Sequence, residues 1–382
     1  MRASRITLAL SVGVMLVLAA CTSASSGPSA SAGASGPLTK VRVQLQWFPQ
    51  AQFAGYYAAA AKGYYAAQGL DVTIVPGSAD IAPQVEGSKP NGPEFTLSWV
   101  PKVLQARESE AGSDLVNIAQ VFQRAGTLSV SWKSSNITSP ADFKGKKVGA
   151  WGFGNELEVI ASAIKAGLKP GTDFTQVTQG FSMDELVAAY DGCAAADTDC
   201  VDVAEAMIYN EYAQLLETTN PSTGKLFQPS DLNVIDYNKV GTSMLQDGVW
   251  SRAAWLAEPG NEATAVKFLR ASFQGWIYCR NNPADCEQFV VDAGSTLGAG
   301  HQKWMMNEIN ALIWPSPLGI GVLDPKLWVQ TVKTASAAGI ITRSPGSGVF
   351  RTDLATQALK GLTDTTGTDF VKATVEITPK GE

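Results

Sequence analysis

The chain has 382 residues, 45% of them hydrophobic and 17% charged, and a formal net charge of −6. That apolar share is globular, while a negative balance without any basic cluster argues against nucleic acid as a partner. One histidine, His301, leaves little room for histidine-based metal or nucleophile chemistry.

The N-terminus reads as a leader followed by a tether. Arg2 and Arg5 precede an apolar run from Ile6 to Ala20, with small residues just before Cys21. A basic start, a short apolar centre and small residues at the cut describe a secretory signal over residues 1–20. The run falls short of the roughly 20 residues that a membrane helix needs. Leu18, Ala19 and Ala20 before Cys21 resemble a bacterial lipobox, in which the cysteine is acylated and becomes the first mature residue. Residues 22–37 are Thr, Ser, Ala, Gly and Pro only. With no large apolar side chain to bury, they are expected to be a flexible tether on a lipid-anchored, exported protein. About 340 residues remain after it, which suits two lobes better than one core.

The ordered chain opens with Val41, Val43 and Leu45 alternating with polar neighbours, a strand that breaks at Pro49. Phe53, Tyr57, Ala60 and Tyr64 then recur at helical spacing. Trp47, Gln50 and Gln52 lie in the strand-to-helix turn between them, where open α/β sheets receive ligands. Tyr56 begins the helix beside them. Further strands are expected at 71–75, 94–99 and 115–122, separated by helical stretches, which implies parallel pairing, and a new unit begins after Gly126 with a strand at 127–132. Ser98 and Trp99, and Gln120 and Phe122, stand at strand ends facing the same crevice.

A strand at 147–151 runs into Gly152, Phe153, Gly154, Asn155 and Glu156 and a helix to Ala166. Asn155 with Glu158 fits a helix cap with its reciprocal partner. In the functional reading, Gly152 to Glu156 offer amides and a carboxylate to a neutral, donor-bearing ligand. The turn lacks a third spaced glycine and a Walker lysine, so no nucleotide site is expected. Residues 232–237 and 242–246 read as the return path, placing two crossings near 123–127 and 236–242. The remainder is largely helical, and Trp304, Met305, Met306 and Trp314 there read as packing. Besides Cys21, four cysteines fall in two equally spaced pairs, Cys193/Cys200 and Cys279/Cys286. In an oxidising compartment two short-loop disulfides are expected, each contributing about 2–3 kcal/mol. A metal site is the alternative, and the single histidine counts against it.

Trp47-Phe48-Pro49, Gly55-Tyr56-Tyr57, Ala60 to Tyr65 and Gln68 to Val72 resemble the opening of one group of solute-binding proteins. These serve ABC importers, in the branch that takes up thiamine pyrimidine precursors, riboflavin or alkanesulfonates. The resemblance runs more loosely through the mature chain. Where the group often has a histidine four or five places after the tryptophan, this chain has Gln52.

The resemblance implies an α/β, two-lobed periplasmic-binding-protein type II fold, each lobe a mainly parallel sheet flanked by helices. Lobe 1 would comprise residues 38–124 and 240–382, and lobe 2 residues 125–239. It also implies Tyr209, Asn210 and Glu211 on the ligand side, no cofactor, a monomer and an ABC permease as partner. Aromatic faces with few basic residues favour a flat N-heteroaromatic ligand over a sulfonate or nitrate-type anion. An enzyme resembling the thiamine-pyrimidine synthases of the fold, and a lipoprotein with only a protein partner, are the competing readings.

Overall fold

The computed structural model describes residues 36–109 and 113–382 of the chain. The leader, Cys21 and nearly all of the tether lie outside the described residues.

Ten strands form in chain order: β1 (Thr39–Gln44), β2 (Leu70–Val75), β3 (Phe95–Ser98), β4 (Leu115–Gln120), β5 (Thr127–Trp132), β6 (Lys147–Ala150), β7 (Thr175–Thr178), β8 (Ala204–Met207), β9 (Leu232–Asp236) and β10 (Gly248–Arg252). The first sheet has the order β2-β1-β3-β10-β4. β1 is parallel to β2 and β3, whereas β10 is antiparallel to both β3 and β4. The second half contains β8-β5-β9, with β5 antiparallel to both neighbours, and the parallel pair β6-β7. A parallel bridge from Val148 to Val203 ties that pair to the start of β8.

The expectation of mainly parallel sheets therefore holds for strand direction but not for every neighbour. In each half four strands share one direction and a single strand opposes them. The opposing strands, β5 and β10, are the ones entered from the other half, so they arrive running against the strands already there. The return path at 242–246 is an irregular crossing, and β10 begins at Gly248. Asp247, at φ 31°, marks the break.

The two crossings are laced to each other. Gln246 Nε2 donates to Thr127 Oγ1 at 2.6 Å and to Glu158 Oε2 at 3.0 Å, while its Oε1 accepts from Gly126 N–H at 2.8 Å. Asn238 Nδ2 donates to the Ala125 carbonyl at 2.9 Å. Glu158 is thus spent on the crossing rather than on a helix cap. Asn155 Nδ2 donates to the Gly152 carbonyl at 2.8 Å, so the expected reciprocal capping pair does not form.

The largest core lies where the Asn261–Asn281 helix crosses the Ala54–Ala61 helix. Phe268 stacks on Phe95 with centroids 4.0 Å apart, and Tyr56 meets Trp276 edge-on at 5.8 Å. Each such fully buried side chain contributes about 1.5–3 kcal/mol. Cys193–Cys200 and Cys279–Cys286 are both bonded, with Cα separations of 5.8 and 5.5 Å. Thiol titration of the unreduced, folded protein from residue 36 onward should find no reactive thiol; two or four would show that these bridges do not form. Trp304 Nε1 donates to the Ile208 carbonyl at 3.0 Å, and Met305, Met306 and Trp314 are buried, in keeping with packing roles.

Candidate functional site

A cavity of about 250 Å³ lies between the two halves. Its lining follows the carboxyl ends of three co-directed strands from each half. Gln46, Trp47, Gln50 and Gln52 come after β1, residues 78–84 after β2, and Trp99 and Lys102 after β3. From the other half come Trp151, Phe153 and Asn155 after β6, Phe181 after β7, and Tyr209, Asn210 and Glu211 after β8. Strands ending together leave backbone and side chains free at one crevice, which is why open α/β sheets bind there.

Three aromatic rings run across the gap. Phe181 lies 4.7 Å from Trp47, tilted by 54°, and 6.4 Å from Trp151, nearly parallel at 18°. Phe153 stands at the rim, 84% exposed and at φ 65°. A bulky residue held in that left-handed region costs about 1–2 kcal/mol, and strain of this kind clusters at functional sites.

The polar side chains form relays. Gln50 Nε2 donates to Gln52 Oε1 at 2.7 Å, and Gln52 Nε2 reaches both Asp247 oxygens at 3.1 Å. Glu211 Oε2 accepts from Met207 N–H at 2.9 Å and its Oε1 from Asn210 Nδ2 at 2.8 Å. His301 Nε2 lies 3.0 Å from Asn210 Oδ1, and its Nδ1 lies 2.9 Å from Glu217 Oε1. Burial pushes the Glu211 and Asp247 carboxyls up to about 7, because a low-dielectric site disfavours the charged form. The same desolvation draws Lys102 down to about 8. Lys102 Nζ donates to Asn155 Oδ1 at 2.6 Å, joining the two halves across the cavity.

Of the sequence-derived candidates, Trp47, Gln50, Gln52, Trp99, Asn155, Tyr209, Asn210 and Glu211 line this cavity. Tyr56, Ser98, Gln120, Phe122, Gly152 and Glu156 are not among the lining residues. Tyr56 and Phe122 are buried in the core. Ser98 Oγ faces Gln84 Oε1 at 3.5 Å. Gln120 Nε2 donates to the carbonyls of Phe122 and Gln246, so it serves the crossings. The Gly152 carbonyl accepts from Asn155, and Glu156 Oε2 accepts from Gly154 N–H at 2.9 Å. Arg124 and Lys62, basic residues near the candidates in sequence, are engaged elsewhere. Arg124 donates to the Leu312 and Trp314 carbonyls at the end of the Ala299–Ile313 helix, and Lys62 faces Tyr278.

Sequence reasoning missed Lys102, Trp151, Phe181 and the 78–84 loop, and included Phe153 only as part of the Gly152–Glu156 turn. The strand-end rule that flagged Trp99 applies equally to Lys102, three residues later, and to Trp151. Phe181 carried no such signal, because β7 is short, polar and largely exposed, and was not expected as a strand.

The fold and a cavity at this crevice define a periplasmic-binding-protein architecture. The aliphatic sulphonate binding protein SsuA from Escherichia coli superposes with a TM-score of 0.56 at 15% identity, covering 80% of this chain and 89% of that one. By sequence the chain belongs to the family described as NMT1/THI5 like, whose model matches residues 50–286. Riboflavin-binding protein RibY of Chloroflexus aurantiacus is 27% identical over 352 residues, covering 88% of this chain and 93% of the relative. The formylaminopyrimidine-binding protein of Halalkalibacterium halodurans is 27% identical over 249 residues, 64% of this chain and 68% of that protein.

Proposed function

We propose that this chain is the substrate-binding lipoprotein of an ABC importer, anchored through Cys21, and that it performs no chemistry. Residues 38–124 with 240–382 form one lobe and 125–239 the other. The lobes close on a flat N-heteroaromatic vitamin or precursor and present it to a permease. The observation that carries this reading is the row Trp47–Phe181–Trp151, ring faces contributed from both sides of one cavity. Offset or tilted ring contacts add about 0.5–1.5 kcal/mol each beyond burial, and a planar ligand can take the same faces. The names of the two relatives support riboflavin or a formylated aminopyrimidine as the ligand class. In support of binding without chemistry, the chain's one histidine, His301, is held between Glu217 and Asn210 and does not line the cavity. Among the described residues no helix is long and apolar enough to cross a membrane.

One observation favours a second reading. Lys102 brings one ammonium into the cavity, a charge that an alkanesulfonate could pair with. A thermal-shift screen separates the two. Riboflavin or the formylated aminopyrimidine should raise the melting temperature more than alkanesulfonates do, and the reverse order would replace the first reading with the second.

A further inference from the structure

Lys102 is the one cation among the residues lining the cavity. It sits in the first turn of the Val100–Glu108 helix, directly after the carboxyl end of β3. Its residue is 8% exposed, its Nζ lies 4.9 Å above the Trp99 ring, and its hydrogen-bond partner is the neutral Asn155 Oδ1 at 2.6 Å. The turn carrying Asn155 wraps closely over the lysine stem: a Cβ at Gly154 would come within 3.2 Å of Lys102 Cγ. No carboxylate of the described residues lies within ion-pair distance of it.

An ammonium has three N–H donors, and Asn155 takes one. A buried charge is costly unless paired or hydrogen-bonded, so two donors at the cavity wall are held without a protein acceptor. The carboxylates that act on its charge, Asp247, Glu156 and Glu205, all stand beyond ion-pair distance. A sulfonate presents three oxygens and calls for several donors converging on them, which one lysine does not supply.

Resting on the binding reading above, we propose that Lys102 determines the specificity of the site by donating to a carbonyl-type acceptor on the edge of the stacked ring, while its bond to Asn155 holds the second lobe over that ring. The ligand class is thereby narrowed to flat heterocycles bearing a ring carbonyl or formyl oxygen.

The test uses isothermal titration of the wild-type protein, Lys102→Met and Lys102→Gln with riboflavin, lumichrome, phenazine, the formylated aminopyrimidine and an alkanesulfonate. Phenazine matches the tricyclic outline of lumichrome without its carbonyls. The wild-type protein should prefer lumichrome over phenazine by tenfold or more, and both variants should lose that preference. Riboflavin affinity should fall at least tenfold in each, with the melting temperature unchanged or raised, since removing a buried charge relieves its desolvation. Variants that keep both the preference and the affinity overturn the role of Lys102 and leave the binding reading standing. A wild-type protein that binds none of the ring compounds overturns the binding reading, and the inference with it. Binding of the sulfonate alone, abolished in both variants, overturns the ligand class.

Discussion

Replacing Gly275 with alanine is expected to destabilise the protein by about 3 kcal/mol, although the same change in an exposed helix would stabilise it by about 1 kcal/mol. Gly275 lies inside the Asn261–Asn281 helix, where a Cβ would fall 1.9 Å from the Gly55 carbonyl oxygen and 2.9 Å from the Ala59 amide nitrogen. Gly55 is equally constrained, its Cβ position lying 2.2 Å from the Trp276 ring. Both contacts on Gly275 are backbone, so neither can swing aside, and the two helices must separate. The Ala54–Ala61 helix begins immediately after the turn holding Gln50 and Gln52, so its displacement moves one wall of the cavity. Denaturant unfolding of Gly275→Ala measures the cost; a stabilised variant would show that the two helices do not meet at these glycines.

The second large effect is a stability minimum near neutral pH in the ligand-free protein. Glu158, Glu211 and Asp247 are fully buried, and desolvation raises each to about 7. A carboxyl raised on folding contributes stability that is fully present below its unfolded value and is lost as pH rises through the folded one. These three contributions therefore decline between about pH 4 and 7. Lys102, drawn down to about 8, works in a higher window. Its unfolded form keeps a proton that the folded form has released, so stability recovers from about pH 8 towards 10. Carboxylates held low by their partners, such as Glu94 and Asp353, lose their contribution only below the ordinary carboxylate range and leave the middle window untouched. Melting temperature should be higher at pH 5 than at pH 7.5 by at least about 4 °C. A broad maximum between pH 6 and 8 would show that these groups are not desolvated as the folded structure has them.

The cavity lining gathers at strand ends. Trp47 and Trp99 each follow a strand whose apolar pattern is visible locally, Tyr209 came from the family resemblance alone, and all three line one cavity. The failures have specific causes. Gln120 and Phe122 also end a strand, but β4 leads into a crossing segment, so its carboxyl end serves the connection between lobes. Asn155 and Glu158 have the spacing of a capping pair. Glu158 instead accepts from Met244 N–H and Gln246, residues 86 and 88 positions away in sequence. Local spacing cannot weigh a partner that distant.

The amino-acid sequence by itself determined the alternation of strands and helices, the two cysteine pairs and the aromatic and amide residues after β1, because each depends on neighbours a few positions apart. Tertiary structure alone decided that Lys102 is buried beside Asn155, that Phe181 bridges Trp47 and Trp151, and that β5 and β10 run against their sheets. Those outcomes depend on which surfaces meet across the cleft. Desolvation and ring packing act between groups that only folding brings together, and no local period encodes them.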